Sequence, residues 1–229
     1  MEHMKKVVLL SGGVDSSTCL AKALEDCGPE DVLAVNMYYG QRHDREIQSA
    51  RDIAGHYGVE LMSLDLSAIF VKSDCSLLKS SEAELPRGSY AQQQAAAPGK
   101  PVSTYVPFRN GLMLAAAASV ADSVGATQIY YGAHADDAAG SAYPDCSTAF
   151  VEAMDRAICE GSGGNAHIVA PFIRCNKAQV VKAGLELGVP YEKTWSCYAG
   201  GSKPCGQCGT CIDRIRAFQL NGVKDPLEP

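Results

Sequence analysis

The chain has 229 residues, 46% of them hydrophobic, and a formal net charge of −6 at pH 7. This length and composition can bury one sizeable core, which predicts one main domain with at most a small appendage. The sequence has no block of basic residues, which argues against a surface made for nucleic-acid backbones, and no apolar run approaches the length of a transmembrane helix.

The first predicted element is a buried parallel strand at residues 6–10, and a helix follows from residue 17. Between them lies a loop of Ser, Gly and Asp, residues 11–16, at the corner where the first N–H groups of the helix lack partners and the helix dipole is positive. Such a corner binds phosphate oxygens, and the carboxylate of Asp15 beside it suits Mg²⁺. The alternative is a turn that merely caps the helix.

This loop is not a Walker A motif, because no lysine follows its glycines, and it lacks the G-x-G-x-x-G spacing of dinucleotide-binding proteins. It resembles the SGGxDS loop of the ATP pyrophosphatases, the superfamily of GMP synthetase, NAD synthetase, asparagine synthetase and tRNA thiolases. The resemblance implies cleavage of ATP to AMP and pyrophosphate. It also implies ATP binding by the loop and its flanks: Leu10, Ser11, Gly12, Gly13, Val14, Asp15, Ser16, Ser17, Thr18, Cys19 and Leu20.

The next elements alternate between strand and helix: a buried strand at residues 32–39, a charged helix at 44–57 and a strand at 59–64. This alternation predicts an α/β fold with a parallel, doubly wound sheet. Ligands of such sheets bind beyond the carboxyl ends of the strands, where the 11–16 loop and the end of the second strand both fall. Gln41, Arg42 and His43 are therefore candidate substrate or catalytic residues, although a histidine beside an arginine in a loop is as often incidental.

A long irregular segment separates these elements from the rest of the sheet. Residues 72–100 are partly of low complexity, and the sequence leaves open whether they form a lid, a binding loop or a disordered segment. Order returns with an alanine-rich helix at residues 112–124, with Arg109 and Asn110 at its entrance. Two interpretations stay open here: Asn110 caps the helix beside a solvated Arg109, or the Arg109 guanidinium meets nucleotide or substrate oxygens.

A fourth strand at residues 128–132 leads into an irregular segment with one histidine and several carboxylates. These groups indicate substrate hydrogen bonding more than a second metal site, because one histidine and scattered aspartates define no coordination geometry. Asp136 and Asp145 are candidates, and the sequence leaves open whether Asp136 or Asp137 faces the substrate. The remaining predicted elements are a helix at 150–159, a strand at 167–171 and a helix at 177–187 that is capped by Asn176.

Four of the ten cysteines lie close together near the end of the chain: Cys197, Cys205, Cys208 and Cys211. Four thiolates around one ion form a closed tetrahedral site, which predicts one structural Zn²⁺ that fixes a last helix at residues 212–220. A redox Cys-x-x-Cys pair is one alternative, and an iron–sulfur cluster, whose ligand run also begins C-x2-C-x2-C, is a stronger one. Secreted disulfide scaffolds are short and dense in cysteine, and the first residues do not resemble a signal peptide, so we expect a cytoplasmic protein.

The ordered set of motifs resembles the 7-cyano-7-deazaguanine synthase family of the queuosine pathway, from the first strand to the last helix. The resemblance implies an α/β domain at residues 1–190 with a zinc-bound segment at 191–229 packed on it, Mg²⁺ with ATP, and Lys177 as a further substrate or catalytic residue. Phe108 departs from the family pattern, which commonly has glycine there. The segments that carry the resemblance are residues 11–17, 38–43, 106–110, 143–146 and 176–178 and the four tail cysteines.

The resemblance implies a ligase that uses ATP and ammonia to turn 7-carboxy-7-deazaguanine into a nitrile, through adenylated intermediates and an amide, with release of AMP and pyrophosphate. Residue 2 is Glu and not the Cys of an N-terminal-nucleophile amidotransferase, so we expect free ammonia as the nitrogen donor. Two other classes stay open: a tRNA thiolase with an iron–sulfur cluster, which the acidic composition disfavours, and a silent ATP-binding regulator. We expect no nucleic-acid or membrane partner, and the oligomeric state stays open, a homodimer included.

Overall fold

A five-stranded parallel sheet forms the centre of the protein, in the computed structural model that describes residues 5–228. The strand order is β3-β2-β1-β4-β5, and every neighbouring pair is parallel. The central strand β1 pairs Val7 with Leu33 on one side and with Ile129 on the other. The predicted α/β class is confirmed. The strands are β1 Lys6–Leu9, β2 Val32–Tyr38, β3 Glu60–Asp65, β4 Gln128–Tyr130 and β5 His167–Val169.

Helices cover both faces of the sheet, as a doubly wound fold requires. Because side chains of a strand alternate between its faces, Val7 of β1 packs with the helices on one face and Val8 with those on the other. Helices α4 and α6 lie on the Val7 face, and α1, α2 and α7 on the Val8 face. The helices are α1 Val14–Ala23, α2 Arg45–Tyr57, α3 Tyr90–Ala96, α4 Arg109–Val124, α5 Ala135–Ala138, α6 Thr148–Gly161, α7 Lys177–Glu186 and α8 Gly209–Leu220.

The strand order reverses beside β1, and this reversal positions the candidate site. From β1 the chain builds outward through β2 to β3, and then returns to place β4 on the opposite side of β1. The loops that leave β1 and β4 therefore diverge, and a crevice opens between them at the carboxyl edge of the sheet. The 11–16 loop lies at this crevice.

The structure differs from the prediction at residues 90–96, which form helix α3 inside the segment that was expected to be a loop. Ser89 accepts a hydrogen bond from the Gln92 backbone N–H, and the Gln92 side chain accepts one from the Ser89 N–H. This capping box, followed by Gln and Ala residues of good helix propensity, explains the helix. Low complexity here concealed an ordinary helix-start signal.

Helix α4 begins earlier than predicted, and Asn110 does not cap it. Its N-cap residue is Phe108, which has a positive φ of 53°, a conformation that costs energy for a residue with a side chain. The Asn110 backbone N–H donates to Asp145 Oδ2 at 2.9 Å, so a carboxylate from a distant segment satisfies this helix end. The Asn110 side chain turns instead to Cys146 Sγ at 3.2 Å.

The C-terminal segment packs against the sheet domain through helix α8, which lies along α7. Phe218 and Ala217 of α8 are buried against Val181 of α7 and Val14 of α1. Arg214 is buried and binds Asp225 through both oxygens of the carboxylate, at 2.7 and 2.9 Å. Among the helices of residues 5–228, none is long and apolar enough to cross a membrane.

Candidate active site

A cavity of about 250 Å³ opens at the carboxyl edge of the sheet beside β1. The 11–16 loop forms one end of it. The start of α4 and the end of β2 form the other end, and the segment around Trp195 closes a side. One ligand-sized space therefore joins the predicted phosphate loop to Arg109.

The 11–16 loop is held in shape by its own serines and by Gly12. Ser16 Oγ accepts from the Ser11 backbone N–H at 3.1 Å, and Ser11 Oγ accepts from the Gly13 N–H at 3.3 Å. Gly12 has a φ of +88°, and a Cβ there would lie 2.4 Å from the backbone oxygen of Glu46. Only glycine permits this close approach of α2 to the loop.

The predicted ATP-binding residues divide into two groups. Leu10, Ser11, Gly13, Asp15 and Ser16 line the cavity. The others are buried around the loop and in α1. Thr18, for example, is fully buried and shares a 2.8 Å hydrogen bond with Tyr191, and burial raises the pKa of the Cys19 thiol. The residues that the structure does not place on the cavity wall are Gly12, Val14, Ser17, Thr18, Cys19 and Leu20.

Asp15 meets Lys177 and His134 at the phosphate end of the cavity. The Lys177 ammonium contacts Asp15 Oδ2 directly, and His134 Nε2 lies 3.6 Å from Asp15 Oδ1. Burial alone would raise the pKa of Asp15, but the charges of Lys177 and His134 and the Lys177 hydrogen bond outweigh it and hold the pKa below its ordinary value. Asp15 is therefore a carboxylate, beside a lysine at the first residue of α7.

Asp137, and not Asp136, lines the cavity. Its Oδ2 lies 3.4 Å from His134 Nε2. Burial raises the pKa of Asp137, His134 lowers it in part and Asp15 raises it further. Asp136 instead accepts a hydrogen bond from the Lys177 backbone N–H at 2.8 Å, which caps the start of α7.

Arg109 lies at the opposite end of the cavity, on the first turn of α4. Its guanidinium carbon is 4.8 Å from the centre of the Tyr39 ring, so the planar cation stacks on an aromatic face. Asn110 also lines the cavity. Asp145 does not; its carboxylate lies buried behind the start of α4, where it caps the helix.

The three candidates that follow β2 have side chains that lie in different parts of the structure. Gln41 lines the cavity, and its Oε1 accepts from the Tyr39 backbone N–H at 2.9 Å. Arg42 donates to the backbone oxygens of Ser81 and Ala83 at 2.9 and 2.6 Å, and so holds the long segment in place. His43 packs against Gly200 of the cysteine segment, and burial lowers its pKa. Neither Arg42 nor His43 lines the cavity.

The wall between the two ends is aromatic and joins three distant parts of the chain. Tyr90 of α3 shares a 2.6 Å hydrogen bond with Tyr198, and Tyr198 lies 3.4 Å from the hydroxyl of Tyr143. The Gly88 backbone N–H donates to the Gln207 oxygen at 3.0 Å. Helix α3 therefore contributes Tyr90 to the cavity wall, and its start is tied to the cysteine segment.

The four tail cysteines come together as a possible metal site. Their Sγ atoms all lie within 4.8 Å of one another, compared with about 3.8 Å expected for two thiolates on one zinc with bonds of about 2.3 Å. Backbone N–H groups point at the sulfurs, for example Cys205 N–H at 3.3 Å from Cys197 Sγ. Such donors favour thiolates, so the set fits a metal ion.

Several cavity residues were missed by the sequence analysis. Glu46 lies on the predicted charged helix at 44–57, Tyr39 lies in the segment 38–43 but was not a candidate there, and Tyr90, Trp195 and Asp213 lie in no motif. For Glu46 a local signal existed, since it lies within the first turn of a helix that begins just beyond the end of β2. The others come from segments that only the fold brings together.

Comparisons with known proteins agree over nearly the whole chain. The family described as Queuosine biosynthesis protein QueC matches residues 5–222. A relative from Archaeoglobus fulgidus named 7-cyano-7-deazaguanine synthase is 43% identical over 225 residues, which are 98% of this chain and 90% of the relative. One of the same name from Thermoplasma acidophilum is 42% identical over 234 residues, which are 100% of this chain and 93% of that one. A solved NMN synthetase of Francisella tularensis superposes with a TM-score of 0.52 at 16% identity, over 97% of this chain and 79% of that one, a likeness of fold alone.

Proposed function

The chain belongs to the QueC family of queuosine biosynthesis proteins, and from this we propose that it is an ATP-dependent C–N ligase that converts 7-carboxy-7-deazaguanine and ammonia to 7-cyano-7-deazaguanine. The observation that supports the proposal beyond the family name is a cavity lined both by the 11–16 loop and by the Arg109 guanidinium with its aromatic neighbours. A nucleotide and a planar acid are held side by side in such a space.

The chemistry explains why ATP is needed. A carboxylate oxygen is a poor leaving group, so transfer of AMP from ATP to that oxygen, with loss of pyrophosphate, makes the carbon open to attack by ammonia. AMP then leaves and the amide forms. A second adenylation on the amide oxygen lets AMP leave again while the nitrogen loses its protons, which gives the nitrile. Each nitrile therefore consumes two ATP and releases two AMP and two pyrophosphate.

The phosphate end holds the groups that this chemistry requires. We assign phosphate binding to the 11–16 loop and to Lys177, whose charge offsets that of the departing pyrophosphate. Asp15 Oδ1 is buried and has no hydrogen-bond partner among residues 5–228, and carboxylate oxygens are the ligands that Mg²⁺ prefers. Asp15 and Asp137 would hold Mg²⁺, which supplies further charge neutralisation on the phosphates.

The acceptor end is assigned to the residues around Arg109. A guanidinium presents two parallel N–H donors to a carboxylate, and Arg109 is held in place by its stacking on Tyr39. Gln41 and Asn110 add amide groups on the same wall. In this assignment Arg42, His43, Asp136 and Asp145 position other groups and do not touch the substrate.

We assign the metal of the four tail cysteines as one structural Zn²⁺ per chain. Four thiolates complete the tetrahedral coordination of zinc, which leaves no position for substrate. Zn²⁺ has no redox chemistry, and its contribution is to hold the segment that carries Trp195 and Tyr198 against the cavity.

The test is mass spectrometry of small molecules after the purified protein has been incubated with ATP, ammonium and 7-carboxy-7-deazaguanine. We expect the nitrile, a transient amide and about two AMP for each nitrile, in accord with the two adenylations above. Glutamine in place of ammonium should give little product. A preparation that binds ATP but forms no AMP in the presence of the acid would contradict the proposal and favour a silent ATP-binding regulator.

A further inference from the structure

Glu46 is an acid on the cavity wall for which the fold has no evident use. It lies in the first turn of α2, is half-buried and lines the cavity between the 11–16 loop and Arg109. Its backbone is fixed, because the oxygen of Glu46 lies against Gly12. The carboxyl group is therefore held at a defined place beside the loop.

Within residues 5–228 the Glu46 carboxyl makes no hydrogen bond and no ion pair shorter than 4 Å. Burial raises its pKa to about 7, and Arg109, the one charged group that acts on it appreciably, lowers that pKa only in part. The Glu46 oxygens are not among the fully buried polar atoms that lack a partner, so the carboxyl is open to the cavity and to a ligand in it. Glu46 and Arg109 both line the cavity, and no ion pair within 4.0 Å joins the carboxyl to the guanidinium.

A ligand group that suits a carboxylate is a pair of adjacent N–H donors, because these can bind both of its oxygens. Among planar bases, the edge of a guanine-like ring presents two adjacent donors, the ring N–H and the exocyclic amine, whereas the corresponding edge of adenine presents one donor and one acceptor. Tyr39, Met37 and Met113 supply apolar and aromatic wall beside Glu46 and Arg109. A bicyclic acid with a carboxylate on one ring and an amino-lactam edge on the other complements both charges at once.

We propose that Glu46 is a specificity-determining residue that accepts hydrogen bonds from the ring N–H and the 2-amino group of the deazaguanine acid, whose carboxylate lies toward Arg109. This inference rests on the proposed function and adds to it the residue that recognises the deazaguanine ring.

The test compares Glu46→Gln with wild type in calorimetric titrations of two acids. One is 7-carboxy-7-deazaguanine and the other is 7-carboxy-7-deazahypoxanthine, which lacks the 2-amino group. Wild type should prefer the first by roughly tenfold or more, since one charge-assisted hydrogen bond is lost with the second. Glu46→Gln offers one acceptor and one donor, so it should bind the first acid roughly tenfold more weakly and lose the preference, while its affinity for a non-hydrolysable ATP analogue stays unchanged.

Glu60→Gln is the matched control, because Glu60 is an exposed glutamate on the edge strand β3 and far from the cavity wall. It should keep the wild-type affinities and the preference. A Glu46→Gln variant that keeps the preference would overturn the inference and leave the proposed function intact. If Glu46→Gln binds the ATP analogue and both acids more weakly by the same factor, the inference is also overturned. If wild type binds neither acid, the inference and the proposed function both fail.

Discussion

Lys177 is the residue that connects the most distant part of the chain to the 11–16 loop. Its ammonium contacts Asp15, 162 positions earlier in the sequence, and its backbone N–H is bound by Asp136. The side chain is about 15% exposed, so its charge lies in a weakly solvated place at the phosphate end of the cavity. A positive charge in this place stabilises a departing pyrophosphate more strongly than the same charge at the surface would.

We predict that Lys177→Met lowers AMP formation by about 100-fold or more, because a pre-oriented cation at the leaving group is lost. The measurement is single-turnover release of AMP with saturating ATP. Lys182→Met is the matched control, since Lys182 is an exposed lysine on the same helix whose ion pair with Glu186 is loose at 4.0 Å. A Lys177→Met protein with wild-type turnover would refute the assigned role.

Glu46 gives a prediction about stability that does not depend on any ligand. Burial raises the pKa of its carboxyl to about 7 from an ordinary value of 4.5. Between these two values the folded protein binds more protons than the unfolded chain, so the free energy of unfolding falls as the pH rises from about 4.5 to 7. The ionised carboxylate is thus a cost to folding at neutral pH.

Glu46→Gln removes that cost and should make the protein more stable than wild type at pH 8, by on the order of 1 kcal/mol, while the two proteins should be equal near pH 4. Urea unfolding at several pH values measures this difference. The exposed Glu60→Gln variant should show no such trend. A difference that stays constant with pH would mean that a cause other than titration of Glu46 is responsible.

Among the helices, α7 matters most to the site because its first residue is Lys177. Asn176 caps it: the Asn176 side chain accepts from the Gln179 N–H at 2.9 Å, and Gln179 accepts in return from the Asn176 N–H at 2.8 Å. The predicted cap is confirmed. The cap fixes the direction in which α7 begins, and with it the position of the Lys177 side chain.

Asn176→Ala should lower the free energy of unfolding by about 1 kcal/mol, because the N-terminal N–H groups of α7 lose their acceptor. Asn176→Ser keeps an acceptor and should lose much less. Equilibrium unfolding in urea measures both variants. Equal destabilisation by Ala and Ser would show that the capping hydrogen bond is not what Asn176 contributes.

For the whole molecule, the cysteine cluster and helix α3 are coupled through the cavity wall. Tyr198 follows Cys197 directly and binds Tyr90 of α3, while Gln207 lies between Cys205 and Cys208 and accepts from Gly88. A metal ion that fixes the four sulfurs thereby fixes both partners of the α3 segment, Tyr198 and Gln207. Loss of the metal should loosen α3 as well as the tail.

We predict about one zinc per chain by elemental analysis, and its loss in Cys208→Ser together with a lower melting temperature. Trypsin should cut after the exposed Arg87 faster in this variant than in wild type, because the neighbouring Gly88 loses its partner. Cys159→Ser is the control, as Cys159 is half-buried on α6 outside the cluster. Near-stoichiometric iron would favour the iron–sulfur alternative, and a metal-free Cys208→Ser protein with wild-type stability would contradict a structural role.

The sequence by itself determined the class of fold and the parts of the site that are local. Buried β-branched runs and helical spacing predict the strands and the main helices, because local backbone preference and burial of one face act over a few residues. The 11–16 loop and the cysteine cluster are likewise recognisable, since each needs its residues within one turn or one short segment. The capping box of α3 is local too, since Ser89 and Gln92 lie three residues apart in the chain.

Only the tertiary structure decided which side chains meet in the cavity. The sequence could not choose between Asp136 and Asp137, because one residue of difference on a short helix decides whether a carboxylate faces the cavity or caps α7. It placed Arg42 and His43 on the correct edge of the sheet but could not tell that their side chains turn away. Glu46 and the tyrosines reach the cavity because strand order and helix packing bring their segments together, and those contacts depend on the packing of the whole core and leave no periodic pattern in the chain.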